Sequence, residues 1–352
     1  MGTKGFFSGA FVLILSLLLA CNYRNQDQQI DRTETGFRSG LTEDTACLLS
    51  QIAYCPESRE QLSVYLPGWS LLWESAELNG NHAFVAGKGK EAALAIRGSL
   101  LGFSEAALQN WIYQDLHVAT QENWPFAGDS VKASISTGSY NGWQNLQLLK
   151  DKTGKGLLYP LLDSLLRNGT RLLITGHSLG GNLASVYGSW LWARQQETGA
   201  GGSDHINIIT FGAPAAGNAD FARDFNHKFP GSLRIENEYD IVPKFPVPEG
   251  FGKLGNLFSD SLAARRITIG YRNLTLSLDK VFAFMNTGLS LLSLTTGLSP
   301  YQQTNGNGKL FKPALSGKNS SGSVGDWMNE AGFQHSIRQY AMYEKIPVLP
   351  CD

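Results

Sequence analysis

The chain has 352 residues, with 29 Lys and Arg against 30 Asp and Glu, so its formal net charge is −1. Hydrophobic residues make up 42% of it and charged residues 17%, a composition typical of a folded globular protein and too apolar for a disordered one. The near-neutral charge argues against sequence-independent binding of nucleic acid, because no excess of basic side chains is available to neutralise phosphates.

The first predicted element is an apolar run from Ala10 to Ala20 that follows Lys4, the arrangement of a secretory signal peptide. The run is shorter than the ~20 residues that a membrane-spanning helix needs. It ends in Leu18-Leu19-Ala20-Cys21, which resembles the lipobox of a bacterial lipoprotein, where cleavage precedes the cysteine and its thiol receives lipid. We therefore expect residues 1–20 to be a lipoprotein signal peptide and Cys21 to anchor the protein to a membrane of the bacterial cell envelope. The alternative is an ordinary secretory signal in which the cysteine is incidental.

The next segment, residues 21–40, is predicted to be a polar tether, because it contains almost nothing that could be buried. As a flexible coil, such a segment would hold the folded part roughly 25 Å from its anchor. The remaining residues, 41–352, are predicted to form one domain.

Helices and short buried strands alternate through much of that domain. The folded part opens with apolar residues at helical spacing over residues 42–54, followed by two strands over 82–96 around a Gly-Lys-Gly-Lys turn. Further predicted helices and strands are Leu157–Leu166 (helix), Arg171–Thr175 (strand), Leu179–Arg194 (helix), Ile206–Phe211 (strand), Asn218–Phe229 (helix) and Leu233–Asn237 (strand). This alternation indicates an α/β fold with a mostly parallel central sheet flanked by helices. The Gly-, Asn- and Ser-rich stretch 303–325 is predicted to be a long surface loop.

Residues Gly176-His177-Ser178-Leu179-Gly180 fit the pattern Gly-x-Ser-x-Gly. The pattern alone is weak in a glycine-rich chain, but here a predicted buried strand leads into it and a predicted helix leaves it. That context is typical of a nucleophile elbow, a sharp strand-to-helix turn that holds a serine in a strained backbone conformation. Ser178 is therefore the predicted nucleophile. The alternative is a helix N-terminus capped by Ser178, with incidental glycines.

A serine nucleophile needs a histidine to remove its proton and a carboxylate to orient that histidine. After an elbow of this kind, the chain order is serine, then acid, then histidine. Of the six histidines, His335 alone lies late enough to leave room for an acid-bearing strand. The acid should follow a later strand end. Asp240, which precedes the sharp stop Ile241-Val242-Pro243, is the preferred candidate and Glu238 the alternative.

These motifs resemble those of the class 3 lipases, the family of fungal triacylglycerol lipases within the α/β hydrolases. The resemblance implies an α/β-hydrolase fold and a catalytic triad of Ser178, Asp240 and His335. It also implies an oxyanion hole formed by Ser99 and the backbone N–H of Leu179, in which each donor contributes about 3–4 kcal/mol to binding the tetrahedral intermediate. The matching segments occur in the family's order across residues 45–350 and are Ala95–Ser99, Asn110–Leu116, Thr175–Gly181, Phe211–Asn218, Asn237–Pro243 and the neighbourhood of His335.

Two segments are longer than the resemblance requires. Residues 100–109 occupy the place of a short lid helix in the fungal relatives, and their apolar side chains suit either such a lid or a packed surface helix. The second insertion lies between Asp240 and His335 and includes apolar residues across 281–294, with polar residues in the middle that disfavour a membrane span. There we expect either a helix packed on the core or a cap that lines an acyl-chain pocket.

Three cysteines remain once Cys21 is assigned to lipid. If Cys47 and Cys55 share the opening helix, the rise of ~1.5 Å per residue separates them by about 12 Å, too far for a disulfide. Cys351 then pairs with one of them, or all three are free thiols. The fungal relatives join a Tyr-Cys at the end of the first helix to a cysteine near the C-terminus. This resemblance implies a bridge between Cys55 and Cys351.

Together these features predict a lipid-anchored serine carboxylester hydrolase that cleaves lipid esters through an acyl-enzyme, like triacylglycerol lipases or phospholipases A1. The expected partners are the lipid ester and the membrane, with no metal, organic cofactor or nucleic acid. Two alternatives remain: an esterase of soluble short-chain esters with the same triad, and a catalytically silent lipid-anchored binding protein on the same fold.

Overall fold

The computed structural model describes residues 40–100, 118, 120–128, 132–154, 156–199, 202–258, 262–271, 274–304, 308–317 and 321–351. The predicted signal peptide, Cys21, all but the last residue of the predicted tether and residues 101–109 of the predicted lid lie outside these ranges. One compact unit spans Ser39–Asp352. None of the helices within the described ranges is both long enough and apolar enough to traverse a bilayer.

Strands and helices follow one another along the described part of the chain. The strands are β1 (Ser70–Glu74), β2 (Ala83–Lys88), β3 (Glu91–Ile96), β4 (Gln121–Asn123), β5 (Ser134–Ser136), β6 (Arg171–His177), β7 (Ile206–Phe211), β8 (Gly217–Asn218), β9 (Leu233–Asn237), β10 (Thr268–Tyr271), β11 (Leu274–Ser277), β12 (Tyr301–Gln302) and β13 (Lys309–Phe311). The helices are α1 (Glu43–Ile52), α2 (Ser58–Tyr65), α3 (Thr137–Leu148), α4 (Leu158–Arg167), α5 (Leu179–Thr198), α6 (Ala219–Lys228), α7 (Pro248–Leu254), α8 (Leu278–Thr296), α9 (Val324–His335) and α10 (Ile337–Tyr343).

The central sheet has the strand order β1-β2-β3-β6-β7-β9-β13. β1, β2 and β3 pair antiparallel, and every pair from β3 onward to β13 is parallel. All residues of β7 and all but the first residue of β6 are buried, as expected for parallel strands covered by helices on both faces. The predicted mostly parallel sheet flanked by helices is confirmed.

The predicted elements differ from the observed ones at two informative places. β6 continues two residues beyond Thr175 and so carries the chain to His177, directly before the serine. The predicted loop over 303–325 is wrong in part, because Lys309–Phe311 form β13, which pairs in parallel with β9. A strand of three residues at a sheet edge is too short to show alternation in the sequence, and Leu310 at its centre is exposed.

The long segment between Asp240 and His335 builds a hydrophobic cluster of its own. Ile241 and Val242, which follow Asp240, pack together with Phe251 of α7, Phe282 of α8 and Trp327 of α9. Because these residues are buried together, the segment is anchored on the turn that carries the predicted acid. We call this group the acid-turn cluster.

The apolar stretch predicted over residues 281–294 forms most of α8. Leu278 and Phe282 are buried, and Met285 packs against the acid-turn cluster from the same side of the helix. On the opposite side, Phe284 is 82% exposed and Leu294 80% exposed. The expected packed helix is therefore present, but it is packed on one side only.

A disulfide joins Cys55 to Cys351 across 296 residues of sequence, the pairing that the family resemblance implies. The premise that Cys47 and Cys55 share the opening helix is wrong, because α1 ends at Ile52 and Cys55 lies in the turn beyond it. Among the described cysteines, Cys47 is free, and burial raises the pKa of its thiol well above the usual value. The bridge ties the C-terminal end of the chain to the end of α1.

Candidate active site

Ser178 lies between β6 and α5 with φ 59° and ψ −130°, a backbone conformation that a residue with a Cβ rarely adopts. Its N–H donates to the carbonyl oxygen of Phe211 at 2.9 Å, so the adjacent strand β7 helps to hold the turn. The strain and the strand-to-helix position are those of a nucleophile elbow.

Glycines make this turn possible, because backbone segments approach each other closely around it. A Cβ at Gly180 would collide with the carbonyl oxygen of Ile96 at the end of β3. A Cβ at Gly98 would lie 2.6 Å from the carbonyl oxygen of His177, closer than real Cβ atoms approach such a group. The loop after β3 is therefore pressed directly against the elbow, a contact that only glycine allows.

The structure brings Ser178, His335 and Asp240 together. In sequence, His335 lies 157 residues after Ser178 and 95 residues after Asp240. His335 Nε2 lies 2.8 Å from Ser178 Oγ, and His335 Nδ1 lies 2.8 Å from Asp240 Oδ2. We assign the tautomer from this network: Nδ1–H donates to the carboxylate, and Nε2 accepts from the serine hydroxyl. In this arrangement His335 can take the proton of Ser178 when the serine oxygen attacks an electrophile.

The Asp240 carboxylate is fully buried and accepts three hydrogen bonds. Besides His335, Tyr340 O–H donates to Oδ2 at 2.7 Å, and the Val242 N–H donates to Oδ1 at 2.8 Å. Burial and the neighbouring Asp240 charge raise the pKa of Tyr340 well above its usual value, so the phenol remains a donor. The alternative acid, Glu238, is 42% exposed at its side chain and pairs with Lys312 at 3.1 Å, away from His335.

Two further side chains fix the turn that carries Asp240. Asn237 donates from Nδ2 to the carbonyl oxygen of Gln334 at 2.8 Å, which connects the end of β9 to the residue before His335. Lys244 donates from Nζ to the carbonyl oxygens of Glu238 and Asp240, both at 2.7 Å. Because Lys244 is largely buried, desolvation lowers its pKa, and these carbonyl groups replace the water it has lost. The acid turn is thus held at both ends.

His177, the residue before the nucleophile, supports the base rather than the serine. Its Nε2 lies 2.7 Å from the carbonyl oxygen of His335, and its Nδ1 lies 3.0 Å from the hydroxyl of Tyr54. Burial, with a smaller contribution from the charge of His335, lowers the pKa of His177 well below its usual value. The neutral ring therefore donates its Nε2–H to the carbonyl oxygen of His335 and accepts a hydrogen bond from the Tyr54 hydroxyl at Nδ1.

The two residues predicted to form an oxyanion hole lie on backbone segments that border Ser178. Leu179 is the first residue of α5, where backbone N–H groups lack partners within the helix and the helix dipole is positive. Ser99 follows Gly98, and a Cβ built on Gly98 would lie 3.2 Å from the Cβ of Ser178. A negative charge developing beside Ser178 would therefore lie between the start of α5 and the loop after β3.

Sequence reasoning missed several side chains of this site. Tyr340 and Lys244 lie in no motif, and the family-like segments that contain Asn237 and Tyr54 indicated no role for these two side chains. Their roles follow from contacts with residues distant in sequence or with backbone carbonyls. His177 had a signal, since it lies inside the elbow. That position excluded it as the base, but no local pattern indicates that its ring supports His335.

Comparisons with known proteins bear on the family and the fold. Residues 93–250 match the model of the family Lipase (class 3). The chain is similar to Lipase ZK262.3 of Caenorhabditis elegans, with 38% identity over 73 residues, 21% of this chain and 20% of that protein. It is also similar to Phospholipase A1-II 1 of Oryza sativa subsp. indica, with 37% identity over 79 residues, 22% of this chain and 19% of the relative. The matched segments thus span about a fifth of these curated relatives.

Among solved structures, the chain is similar to M37 lipase with a TM-score of 0.67 and 21% sequence identity, over 87% of this chain and 96% of that one. At this identity the likeness concerns the fold alone. It confirms the predicted α/β-hydrolase fold.

Replacement of His177 tests its neutral, buried state through the pH dependence of stability. The unfolded chain binds a proton at this ring below about pH 6.5, whereas the folded protein does not until a much lower pH. The free energy of unfolding should therefore fall as the pH falls below about 6.5, by up to about 1.4 kcal/mol per pH unit from this group. Urea unfolding of His177→Gln between about pH 5 and 7 measures the free energy of unfolding at each pH. The slope of that free energy against pH should be smaller than in the wild type, by the equivalent of up to one bound proton. The control is Leu148→Gln, which alters an exposed side chain at the end of α3 that does not titrate and should keep the wild-type slope. An unchanged slope in His177→Gln would contradict the assignment.

Proposed function

We propose that this chain, a member of the class 3 lipase family, is a serine carboxylester hydrolase that cleaves lipid esters. The observation that carries the proposal is the hydrogen-bonded series from Ser178 Oγ through His335 to Asp240, with 2.8 Å at each step. The series starts from a serine with strained backbone inside the region matched by the family, residues 93–250. A structural role alone would need neither the strained serine nor the buried carboxylate.

In the proposed mechanism, Ser178 Oγ attacks the ester carbonyl carbon while its proton passes to His335 Nε2. Asp240 keeps Nδ1–H oriented and stabilises the imidazolium that forms. The N–H of Leu179, with Ser99, donates to the oxyanion of the tetrahedral intermediate. The intermediate collapses to an acyl-enzyme as the alcohol leaves with the proton from His335. Water, activated by the same base, then attacks the acyl-enzyme and releases the fatty acid.

A lipid ester is the substrate class that the surroundings favour. Leu179 packs against the apolar acid-turn cluster, so hydrocarbon borders the nucleophile on this side. The relatives bear the names lipase and phospholipase A1, and we propose acylglycerols first and phospholipid sn-1 esters second. Two experiments test the alternatives. Labelling of the serine distinguishes the enzyme from a silent binding protein, and a series of esters distinguishes it from an esterase of soluble esters.

Labelling by a fluorophosphonate probe tests whether Ser178 is an activated nucleophile. The wild-type chain should be labelled at Ser178, and Ser178→Ala should lose both the label and ester hydrolysis. Asp240→Asn, which favours the wrong histidine tautomer, should lower kcat by about 10⁴-fold. The matched control is Ser185→Ala on α5, where the hydroxyl donates to the Gly181 carbonyl oxygen at 3.2 Å. If the label is absent or remains in Ser178→Ala, the chain is not a serine hydrolase of this kind.

A series of p-nitrophenyl esters from acetyl to palmitoyl, with and without detergent micelles, tests the substrate class. Hydrolysis should increase with acyl length, and the long-chain esters should react faster when they are presented in an aggregate. The physical reason is that each buried methylene adds about 0.8 kcal/mol of favourable transfer to an apolar site. A maximum at the acetyl or butyryl ester, with no effect of micelles, would instead identify a short-chain esterase.

We propose in addition that the protein is a lipoprotein of the bacterial cell envelope, anchored through Cys21. Support comes from the apolar run that ends at Leu18-Leu19-Ala20-Cys21 and from the polar segment after it. Metabolic labelling with an alkyne-tagged fatty acid should mark the full chain and not its Cys21→Ala variant. Equal labelling of both, or of neither, would reject the anchor while leaving the esterase proposal intact.

A further inference from the structure

The outer side of α8 presents apolar side chains to solvent. Phe284, Leu291 and Leu294 are exposed to 82%, 56% and 80% respectively. Thr287, Gly288 and Thr295 are also exposed and share this side, because residues three, four and seven apart lie on one face of a helix. We call these six residues the outer face of α8. Exposed apolar side chains that cluster on one face usually mark a surface that another phase or molecule covers.

This face carries no charge. The sequence contains no Asp, Glu, Lys or Arg between Lys280 and Lys309, although 17% of the chain is charged. A helix face directed only toward water ordinarily carries charged side chains opposite its buried stripe. The absence of charge removes the large desolvation cost that would oppose transfer of this face into an apolar medium.

Two hydroxyl groups on and beside this face, those of Thr287 and Ser290, are satisfied within the helix. Thr287 Oγ1 donates to the carbonyl oxygen of Ala283 at 2.9 Å, and Ser290 Oγ donates to that of Asn286 at 2.9 Å. Hydroxyls bonded in this way do not need water, which is the arrangement that hydrocarbon surroundings require of polar groups. An interface with a second protein would more commonly direct such groups toward partners on the other chain.

The opposite side of the same helix packs on the acid-turn cluster. Phe282, Met285 and Leu289 belong to or pack against the acid-turn cluster, which contains the residues that follow Asp240. Leu179, the proposed oxyanion donor, packs against that cluster too. Contact of lipid with the outer face would thus bring a lipid surface to the structural unit that borders the nucleophile.

We propose that the outer face of α8 is an interfacial lipid-binding surface, which inserts into the surface of the aggregate that holds the substrate. The inference rests on the proposed lipid-ester function, whose substrate forms such an aggregate. The helix would lie in the plane of the interface with its apolar face buried ~5–10 Å, as amphipathic interfacial helices do. Because the face is uncharged, neutral lipids should suffice.

The kinetic test uses the triple variant Phe284→Ser, Leu291→Ser and Leu294→Ser in the full chain. Its hydrolysis of a micellar long-chain ester should fall at least ~10-fold through loss of interfacial binding, while hydrolysis of a dissolved short-chain ester stays close to that of the parent. The matched control replaces Val64, Leu148 and Leu310, which are 64%, 63% and 63% exposed elsewhere, by serine and should leave both rates unchanged. Unchanged micellar hydrolysis in the α8 variant, or an equal loss of both rates, overturns the inference.

A binding test does not depend on catalysis. The test uses a chain with Ser178→Ala and Cys21→Ala that carries a polarity-sensitive dye on Phe284→Cys. The emission of the dye should shift to the blue when phosphatidylcholine vesicles are added, and spin-labelled acyl chains should quench it. Both effects should be independent of salt concentration. The same dye at Leu148→Cys should not respond. A missing response at Phe284 overturns the inference even if the chain proves to be an esterase. A blue shift that increases with protein concentration in the absence of vesicles also overturns the inference, because it would show that a second copy of the chain covers this face. If no ester is hydrolysed but the dye responds, the lipid surface stands and the esterase proposal fails.

Discussion

The buried carboxylate of Asp240 is the constraint on which the geometry of this site depends. A carboxylate inside a protein is tolerated only where donors replace the water it has lost. Here the donors come from His335 at the end of α9, Tyr340 of α10 and the N–H of Val242 in the following turn. The buried charge of Asp240 therefore positions α9, α10 and the turn that contains Val242. His335 is held beside Ser178 because it is one of the three donors to this carboxylate.

The other half of the site depends on backbone strain. Ser178 holds a positive φ because β6, β7 and the loop after β3 surround the elbow and leave it no relaxed alternative. His177 connects the two halves, since it precedes the strained serine and bonds the backbone of His335. Its low pKa matters structurally, because a protonated ring there would put a cation beside the base. The elbow and the base are thus fixed relative to each other by a neutral ring in addition to the Ser178–His335 bond.

Sequence alone predicted the parts of this molecule that local patterns determine. The elbow is recognisable because an apolar strand, a glycine-flanked serine and a helix are contiguous in sequence, and β7 and β9 occur at the predicted residues. Asp240 and His335 could be nominated by chain order and elimination. Tyr340 and Lys244 could not, because a tyrosine or lysine acquires its role from a partner that only folding brings near. The strand β13 was missed for the same reason: three residues become a strand only beside β9. The apolar run in α8 predicted a helix, but periodicity could not indicate which side the protein would cover.

The position of α8 in the chain follows from the way the acid and the base are held. Asp240 and His335 are fixed by contacts with each other, with Tyr340 and with the Asn237–Gln334 bond, so the intervening segment does not determine their separation. That segment can therefore be long without disturbing the triad, and here it forms the acid-turn cluster and α8. Insertion at this point has a physical consequence that insertion at a distant loop would lack. A helix packed on the acid turn lies on the structural unit that borders the nucleophile, and its outer face is exposed to solvent. Within the described residues, α8 thus connects its exposed outer face to the cluster beside the nucleophile without a conformational change, because the same helix contacts the cluster on one side and solvent on the other.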